Sequence, residues 1–367
     1  MKAGGARAAA RTLGRGVLAL AAIVCGGEVL VRLFIGGPSP QVYDPEIGYA
    51  YRPYSELFQA KEGYARLRFN SLGLNDADIV PKNGRCRVLV IGDSYTAAFQ
   101  VPRERNFTSA AEQLDNHLDV VNAGRDGLFL GDMHTVFNRL AGDVKPDLVV
   151  YVLSQRAVEA DILLPGFRVL VAPGSGQITD AVMQVEEKEL LKQIFAPVLR
   201  VSALVTRLSA QLQPMVVDAM KELEKWRDML ARPVTESHPA GPAVGRPSSE
   251  DVLEFVFRRF AAQTPVALLY INALQYRPNH RAAVAPSSAD AEAAARRAAA
   301  RASVRFFNTA EYLIASVTSS GQPPYGFDNA VRPGGHLNDA GHRAVGRALV
   351  DLVREMSPVL PSACSAK

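Results

Sequence analysis

A serine at the end of a buried strand is the residue of this 367-residue chain whose setting most suggests chemistry. The run Val88-Leu-Val-Ile-Gly-Asp-Ser-Tyr-Thr-Ala97 is apolar up to Ile91, breaks at Gly92-Asp93-Ser94 and continues as a helix-compatible segment. That is a strand, a tight turn and a helix start. Ser94 is then presented at the strand's carboxyl end, where parallel α/β sheets bind ligands. Free N–H groups of a helix N-terminus beside a serine suit nucleophilic acyl chemistry. Such chemistry also needs a base, a group that orients the base, and donors for the oxyanion. Among six histidines, His336 precedes a helix start and is the candidate base. His342 falls inside that helix and reads as structural. His117, His134, His238 and His280 have no motif around them and read as surface residues.

Gly92-Asp93-Ser94 resembles the first block of the SGNH/GDSL hydrolase superfamily. Gly335-His336-Leu337-Asn338-Asp339-Ala340-Gly341-His342 is similar to that superfamily's last block. The resemblance spans about residues 42–356. It implies Ser94 as nucleophile, with its backbone N–H as an oxyanion donor, and His336 as base. Val121-Asn-Ala-Gly-Arg-Asp-Gly127 has the look of the second block, with Gly127 preferred to Gly124 as the glycine that offers an N–H.

Two blocks depart from the pattern. Where the third block carries an oxyanion-donating Asn, this chain reads Leu153-Ser154-Gln155-Arg156. Gln155 and Arg156 both carry N–H donors and are the candidates for that place. Arg156 also suits an anionic group on a substrate, and the change equally fits a decayed site. The family acid stands two or three residues before its histidine, but here those positions are Gly334 and Pro333. The nearest upstream carboxylate, Asp328, is the candidate acid; the alternatives are a Ser–His dyad or a backbone carbonyl that orients the ring. Asp93 reads as a turn and helix-cap residue.

The elements that must position these residues alternate in type. Strands are expected at 87–91, 119–122, 147–153, 266–271 and 304–308, and helices at 106–118, 132–140 and 338–356. The expected fold is α/β: a three-layer α/β/α domain with a parallel, flavodoxin-like five-stranded sheet. A largely helical insertion is expected between strands 3 and 4, at about 162–248. It opens with a hairpin-like stretch at 167–179 and runs on as helix from 181 to 231, broken near Pro197 and Pro214. Its apolar stripe of Leu190, Ile194, Leu199, Leu204 and Leu208 reads as helix packing, with a substrate groove as the alternative. Residues 237–249 read as a flexible loop, and 287–301 as a surface helix.

Upstream, residues 1–36 read as a signal anchor and 37–85 as a linker and lead-in; the hydrolase-like domain is expected at 86–361 and a flexible tail at 362–367. Within the lead-in, Asp44-Pro-Glu-Ile-Gly-Tyr49 and Phe69-Asn-Ser-Leu-Gly-Leu-Asn75 resemble the segment before the catalytic domain of bacterial envelope members of the superfamily. Such a segment can pack beside the domain without doing chemistry. Lys2, Arg7, Arg11 and Arg15 precede an apolar stretch from Val17 to about Ile35, approaching the length of a membrane span. The charge bias puts the N-terminus in the cytoplasm and the rest outside. A cleaved signal peptide is the competing reading. Glu28 and Arg32 sit four apart and can pair on one helix face.

The formal net charge of +4 is small for this length, and no basic run interleaves with aromatics, so nucleic-acid binding is not indicated. Three cysteines make no disulfide framework, and none has zinc-type spacing. No metal or cofactor is called for. The expected function is a serine esterase or O-acyltransferase acting on ester groups, acetyl by expectation, of envelope or exported glycans. The expected setting is the inner membrane of a bacterium, with the domain on the periplasmic side. The acylated glycan, the membrane and envelope-biosynthesis proteins are the expected partners. The alternative is a degenerate domain that binds a glycan or an envelope protein without catalysis.

Overall fold

The computed structural model describes residues 3–34, 40–44, 46–163, 167–172, 177–183, 202, 204–205, 248–262, 265–277, 281–330 and 335–364. The chain divides into two compact units, Met1–Tyr43 with Glu187–Ala243, and Asp44–Glu186 with Val244–Lys367. The lead-in from Asp44 to Arg85 therefore belongs to the same unit as the Ser94 strand.

In the first unit, helix α1 (Ala3–Phe34) contains a 20-residue stretch, Gly14–Leu33, of mean hydropathy 2.0. It is long and apolar enough to cross a membrane, as an anchor or a signal sequence would be. Glu28 accepts from Arg32 Nε at 2.7 Å, the expected pair, and also from the Ser202 hydroxyl at 2.8 Å and the Leu204 N–H at 2.9 Å.

The second unit starts with β1 (Gln41–Asp44, whose last residue lies here), β2 (Gly48–Tyr51) and the antiparallel hairpin β3 (Glu56–Gln59) and β4 (Ala65–Arg68). Then follow β5 (Cys86–Ile91), the short α2 (Ser94–Ala97), α3 (Phe107–Leu114), β6 (Leu118–Asn122), α4 (Met133–Val144), β7 (Leu148–Ser154) and α5 (Gln155–Leu163). A hairpin of β8 (Phe167–Val171) and β9 (Ile178–Met183) opens the insertion. After it come α6 (Ser249–Ala261), β10 (Val266–Ile271), the hairpin β11 (Leu274–Arg277) and β12 (Arg281–Val284), α7 (Pro286–Arg301), β13 (Arg305–Asn308), α8 (Ala310–Ser320) and α9 (Asp339–Met356).

The central sheet is parallel, in the order β13-β10-β7-β5-β6. Numbered as core strands this is 2-1-3-4-5 from the β6 edge, the flavodoxin-like order. Its middle strands read as unbroken apolar runs because both faces are covered. Leu89 and Ile91 of β5 pack with Val149 and Tyr151 of β7 and with α4, α6 and α7 on one face. Val88 and Val90 pack with Leu148 and Val150, α3 and α9 on the other. This alternation of one strand between two cores makes the three layers.

Several expectations change. The expected helical run from 181 begins as strand, since Met183 pairs with Phe167 across the β8–β9 hairpin. The rest of that run, four of the five stripe residues, most of the 237–249 loop, and His238 and His280 lie outside the described residues. Helix α7 is not merely superficial, because Ala295, Ala298 and Ala299 are fully buried against the sheet. The tail is not free either: Cys364 is buried in a short 3₁₀ turn and disulfide-bonded to Cys86 at the start of β5.

The lead-in is docked by its own polar motifs. Arg139 on α4 holds the Asp44 and Glu46 carboxylates of Asp44-Pro-Glu46, donating to each at 2.9 Å. The Asn70 side chain accepts from the Leu72 and Leu74 N–H groups, closing the Phe69–Asn75 turn. Asn75 then donates to Ala97 O at 2.9 Å, on the last residue of α2.

Candidate functional site

The buried strand β5 stops at Gly92, and Asp93 caps the helix that begins at Ser94, accepting the Tyr95 N–H at 3.0 Å. Ser94 is the first residue of that helix, so its N–H has no intrahelical carbonyl to meet. The second Asp93 oxygen accepts from the Ser154 hydroxyl at 2.9 Å, which ties the ends of β5 and β7 together. This is where the strand order reverses and where open α/β sheets place their ligands. Asp93 is buried, and burial pushes its carboxyl above the ordinary value against the pull of these two hydrogen bonds.

His336 arrives from the far end of the chain on a loop fixed by backbone pairing. Its carbonyl accepts from Gly326 N–H at 2.9 Å, and Tyr325 bridges Leu337. Asn338 caps α9 through Ala340 and Gly341 N–H while its amide holds the Pro323 and Gly326 carbonyls. The ring Nε2 lies 2.8 Å from Ser94 Oγ. Tyr95 packs beside the imidazole, centroids 5.3 Å apart, and burial pushes its phenol up to about 12, so it stays neutral.

The third member comes from the lead-in. Glu62, in the loop between β3 and β4, places Oε2 2.6 Å from His336 Nδ1 and accepts the His336 backbone N–H on Oε1, also at 2.6 Å. A carboxylate at Nδ1 fixes the proton there and leaves Nε2 to accept from the Ser94 hydroxyl. Ser94, His336 and Glu62 thus have the connectivity of a serine-hydrolase triad. Gly335 makes this possible: its φ is +85°, and a Cβ built on it would lie 2.1 Å from Glu62 Oε1.

Glu62 corrects two expectations. Asp328 is not the carboxylate at His336 Nδ1, and the lead-in, besides packing beside the domain, brings a carboxylate to that ring. The acid is 274 residues from its histidine, in a segment whose own pattern reads only as a hairpin. The one local trace is Gly335, directly before the histidine and one residue past the positions where the family acid was sought.

The remaining candidates fall around this core. Gly127 (φ +72°) occupies the left-handed position of a turn closed by Leu128 N–H on Arg125 O at 3.2 Å. It is Gly124 that lies against the short helix begun by Ser94, where a Cβ would come 2.1 Å from Ala97 N. The Gln155 side chain donates to Glu159 at 2.9 Å and accepts from Ser287 at 3.3 Å. Arg156 is exposed, lies over the Phe129 ring at 5.8 Å, and is close enough to Asp93 for its charge to favour that carboxylate. His342 is buried and stacks on Phe107 at 6.1 Å, and desolvation lowers its pKa to about 3. Cys86, Asp147 and Cys364 form a group of metal-ligand type among the described residues, but both sulfurs are in the disulfide and Asp147 is paired with Lys82 at 2.7 Å.

No family model and no curated protein matches the chain. Solved structures of lipolytic G-D-S-L family proteins and acetylxylan esterases are similar to it. One is a catalytic mutant of an acetylxylan esterase from Geobacillus stearothermophilus, at 14% identity over 74% of this chain and 95% of that one, TM-score 0.37. Another is a member of the lipolytic G-D-S-L family from Veillonella parvula, at 10% identity over 73% and 97%, TM-score 0.36. A third is a putative lipolytic protein of that family from Desulfitobacterium hafniense, at 10% identity over 73% and 99%, TM-score 0.33. The chemistry this site can do rests on Ser94, His336 and Glu62 themselves.

Proposed function

We propose that the protein is an SGNH-type serine ester hydrolase or O-acyltransferase. The observation that carries this reading is the continuous chain from Ser94 Oγ through His336 to Glu62, at 2.8 and 2.6 Å. Ser94 Oγ attacks the ester carbonyl carbon while His336 Nε2 takes the hydroxyl proton. The Ser94 N–H stabilises the oxyanion, and Gly127 and Arg156 are the further candidate donors. As the C–O bond breaks, His336 returns the proton to the departing alkoxide and an acyl-Ser94 intermediate remains. Water, or an acceptor hydroxyl, then loses its proton to His336 and takes the acyl group, and Ser94 is reprotonated. Glu62 holds the ring in one tautomer and stabilises the imidazolium that forms in each half-reaction. The protein groups complete the cycle, and a cofactor is not part of the reading.

The apolar helix α1 supports tethering to the cytoplasmic membrane, with the hydrolase unit outside. The Cys86–Cys364 bond suits an oxidising compartment. An acetylated glycan of the envelope is the substrate class that fits this address. The degenerate, binding-only alternative rests on a missing acid and a missing Asn, and Glu62 at His336 Nδ1 speaks against the first.

The test is turnover of a chromogenic acetyl ester by the full-length chain. The reading expects turnover in the wild type and its loss in Ser94→Ala. Turnover unchanged in Ser94→Ala would overturn it.

A further inference from the structure

Three hydrogen bonds from one side chain tie the turn that carries Glu62 to the loop that leads to His336. Asn329 lies in the loop that leads to His336, and its amide makes three hydrogen bonds to the backbone on either side of Glu62. Oδ1 accepts from the Gly63 N–H at 2.9 Å, and Nδ2 donates to Ala60 O at 2.9 Å and to Gly63 O at 3.0 Å. The acceptor and both donors of the side chain are therefore committed to this one turn.

The same loop is fastened to the histidine. Gly326 N–H donates to His336 O, and Asn338 holds Gly326 O while capping α9. A closed circuit results, from His336 through Gly326 and Asn329 to the 60–63 turn, and from Glu62 back to the His336 backbone N–H and ring Nδ1. The carboxylate sits on a hairpin whose strands make no pairing with the central sheet. Apart from the two Glu62–His336 bonds themselves, Asn329 ties the turn to the histidine loop by hydrogen bonds. Asn329 supplies a fixed reference between two segments that are 266 residues apart.

We infer that Asn329 is a positioning residue that latches the Glu62 turn onto the His336 loop and thereby sets the acid–histidine geometry. The inference rests on the serine-hydrolase reading, because a latch has a kinetic consequence only if His336 activates Ser94. Displacement of a supporting group by about 1 Å can cost about 10²-fold in rate.

The experiment follows the rate at which a fluorophosphonate probe labels Ser94 in the full-length protein, with kcat and KM on a chromogenic acetyl ester beside it. Asn329→Ala is expected to slow labelling and kcat by about 10- to 100-fold with KM little changed. Asn329→Asp keeps the acceptor for Gly63 N–H and loses both donors, so it gives a second slow variant if the alanine form folds poorly. The deciding comparison is the double variant: Glu62→Gln with Asn329→Ala should be no slower than Glu62→Gln alone, because the latch acts only through that acid. Multiplying effects, or wild-type labelling in both Asn329 variants, would overturn the inference while leaving the Ser94 reading intact. Failure of the probe to label wild-type Ser94 would instead strike the serine-hydrolase reading.

Discussion

Glu62 Oε2 lies 2.6 Å from His336 Nδ1, and the same carboxylate accepts the His336 backbone N–H on its other oxygen. Both oxygens are thus spent on one residue, so the acid orients the imidazole and its backbone together. The carboxylate comes from the segment between the apolar helix and the sheet, not from the loop that carries the histidine. The consequence is that the candidate site is complete only when the lead-in is folded beside the strand that ends at Ser94.

Gly335→Ala tests that packing from the histidine side. A Cβ there would meet Glu62 Oε1, the movable end of a side chain, and would sit on a backbone with φ +85°. The strain is expected to cost about 1–2 kcal/mol of stability. The larger effect should be kinetic, because Glu62 must swing away from Nδ1. A melt that stays cooperative beside a strongly reduced kcat is the expected pair of results; an unchanged kcat contradicts the packing argument.

His342 makes stability depend on pH. Burial lowers its pKa to about 3 in the fold, while the unfolded chain takes up the proton near 6.5. Between those values the unfolded state binds a proton that the folded state refuses. Stability from this group is therefore full above about pH 6.5 and is lost as pH falls toward 3, at up to about 1.4 kcal/mol per pH unit. Urea melts from pH 7 to pH 5 should show falling midpoints in the wild type and a flatter trend in His342→Leu. Parallel trends would mean that His342 is not the group responsible.

The disulfide Cys86–Cys364 closes the chain from the first residue of the Ser94 strand to the C-terminal turn. Cys364→Ala should lower stability by about 2–4 kcal/mol, read as a lower urea midpoint. The reductant dithiothreitol should reproduce that loss in the wild type and leave the variant unmoved.

Arg156→Ala addresses the altered third block. If its guanidinium helps to hold the oxyanion, kcat should fall by about 10²-fold with KM nearly constant. A wild-type kcat would remove Arg156 from that role.

Much of this architecture was legible in the residues. The five core strands read correctly to within one residue at each end, because strands covered on both faces must be apolar throughout. Ser94 was marked by the break at Gly92-Asp93, and His336 by the helix start that Asn338 caps. What the chain order hid were contacts made across its full length. Glu62 is one of 37 acidic residues, and nothing in Lys61-Glu62-Gly63 marks it apart from a hairpin turn. Cys364 looked like part of a loose tail because its partner lies 278 residues away. In both cases the signal is tertiary proximity, which neither periodicity nor local motif encodes.

The proposed chemistry turns on the identity of the acid, and the most direct measurement compares turnover of a chromogenic acetyl ester by Glu62→Gln and Asp328→Asn. The geometry predicts a fall in kcat of up to about 10⁴-fold for Glu62→Gln and a near-wild-type kcat for Asp328→Asn. The reverse pattern, or a Glu62→Gln protein as fast as the wild type, would contradict it.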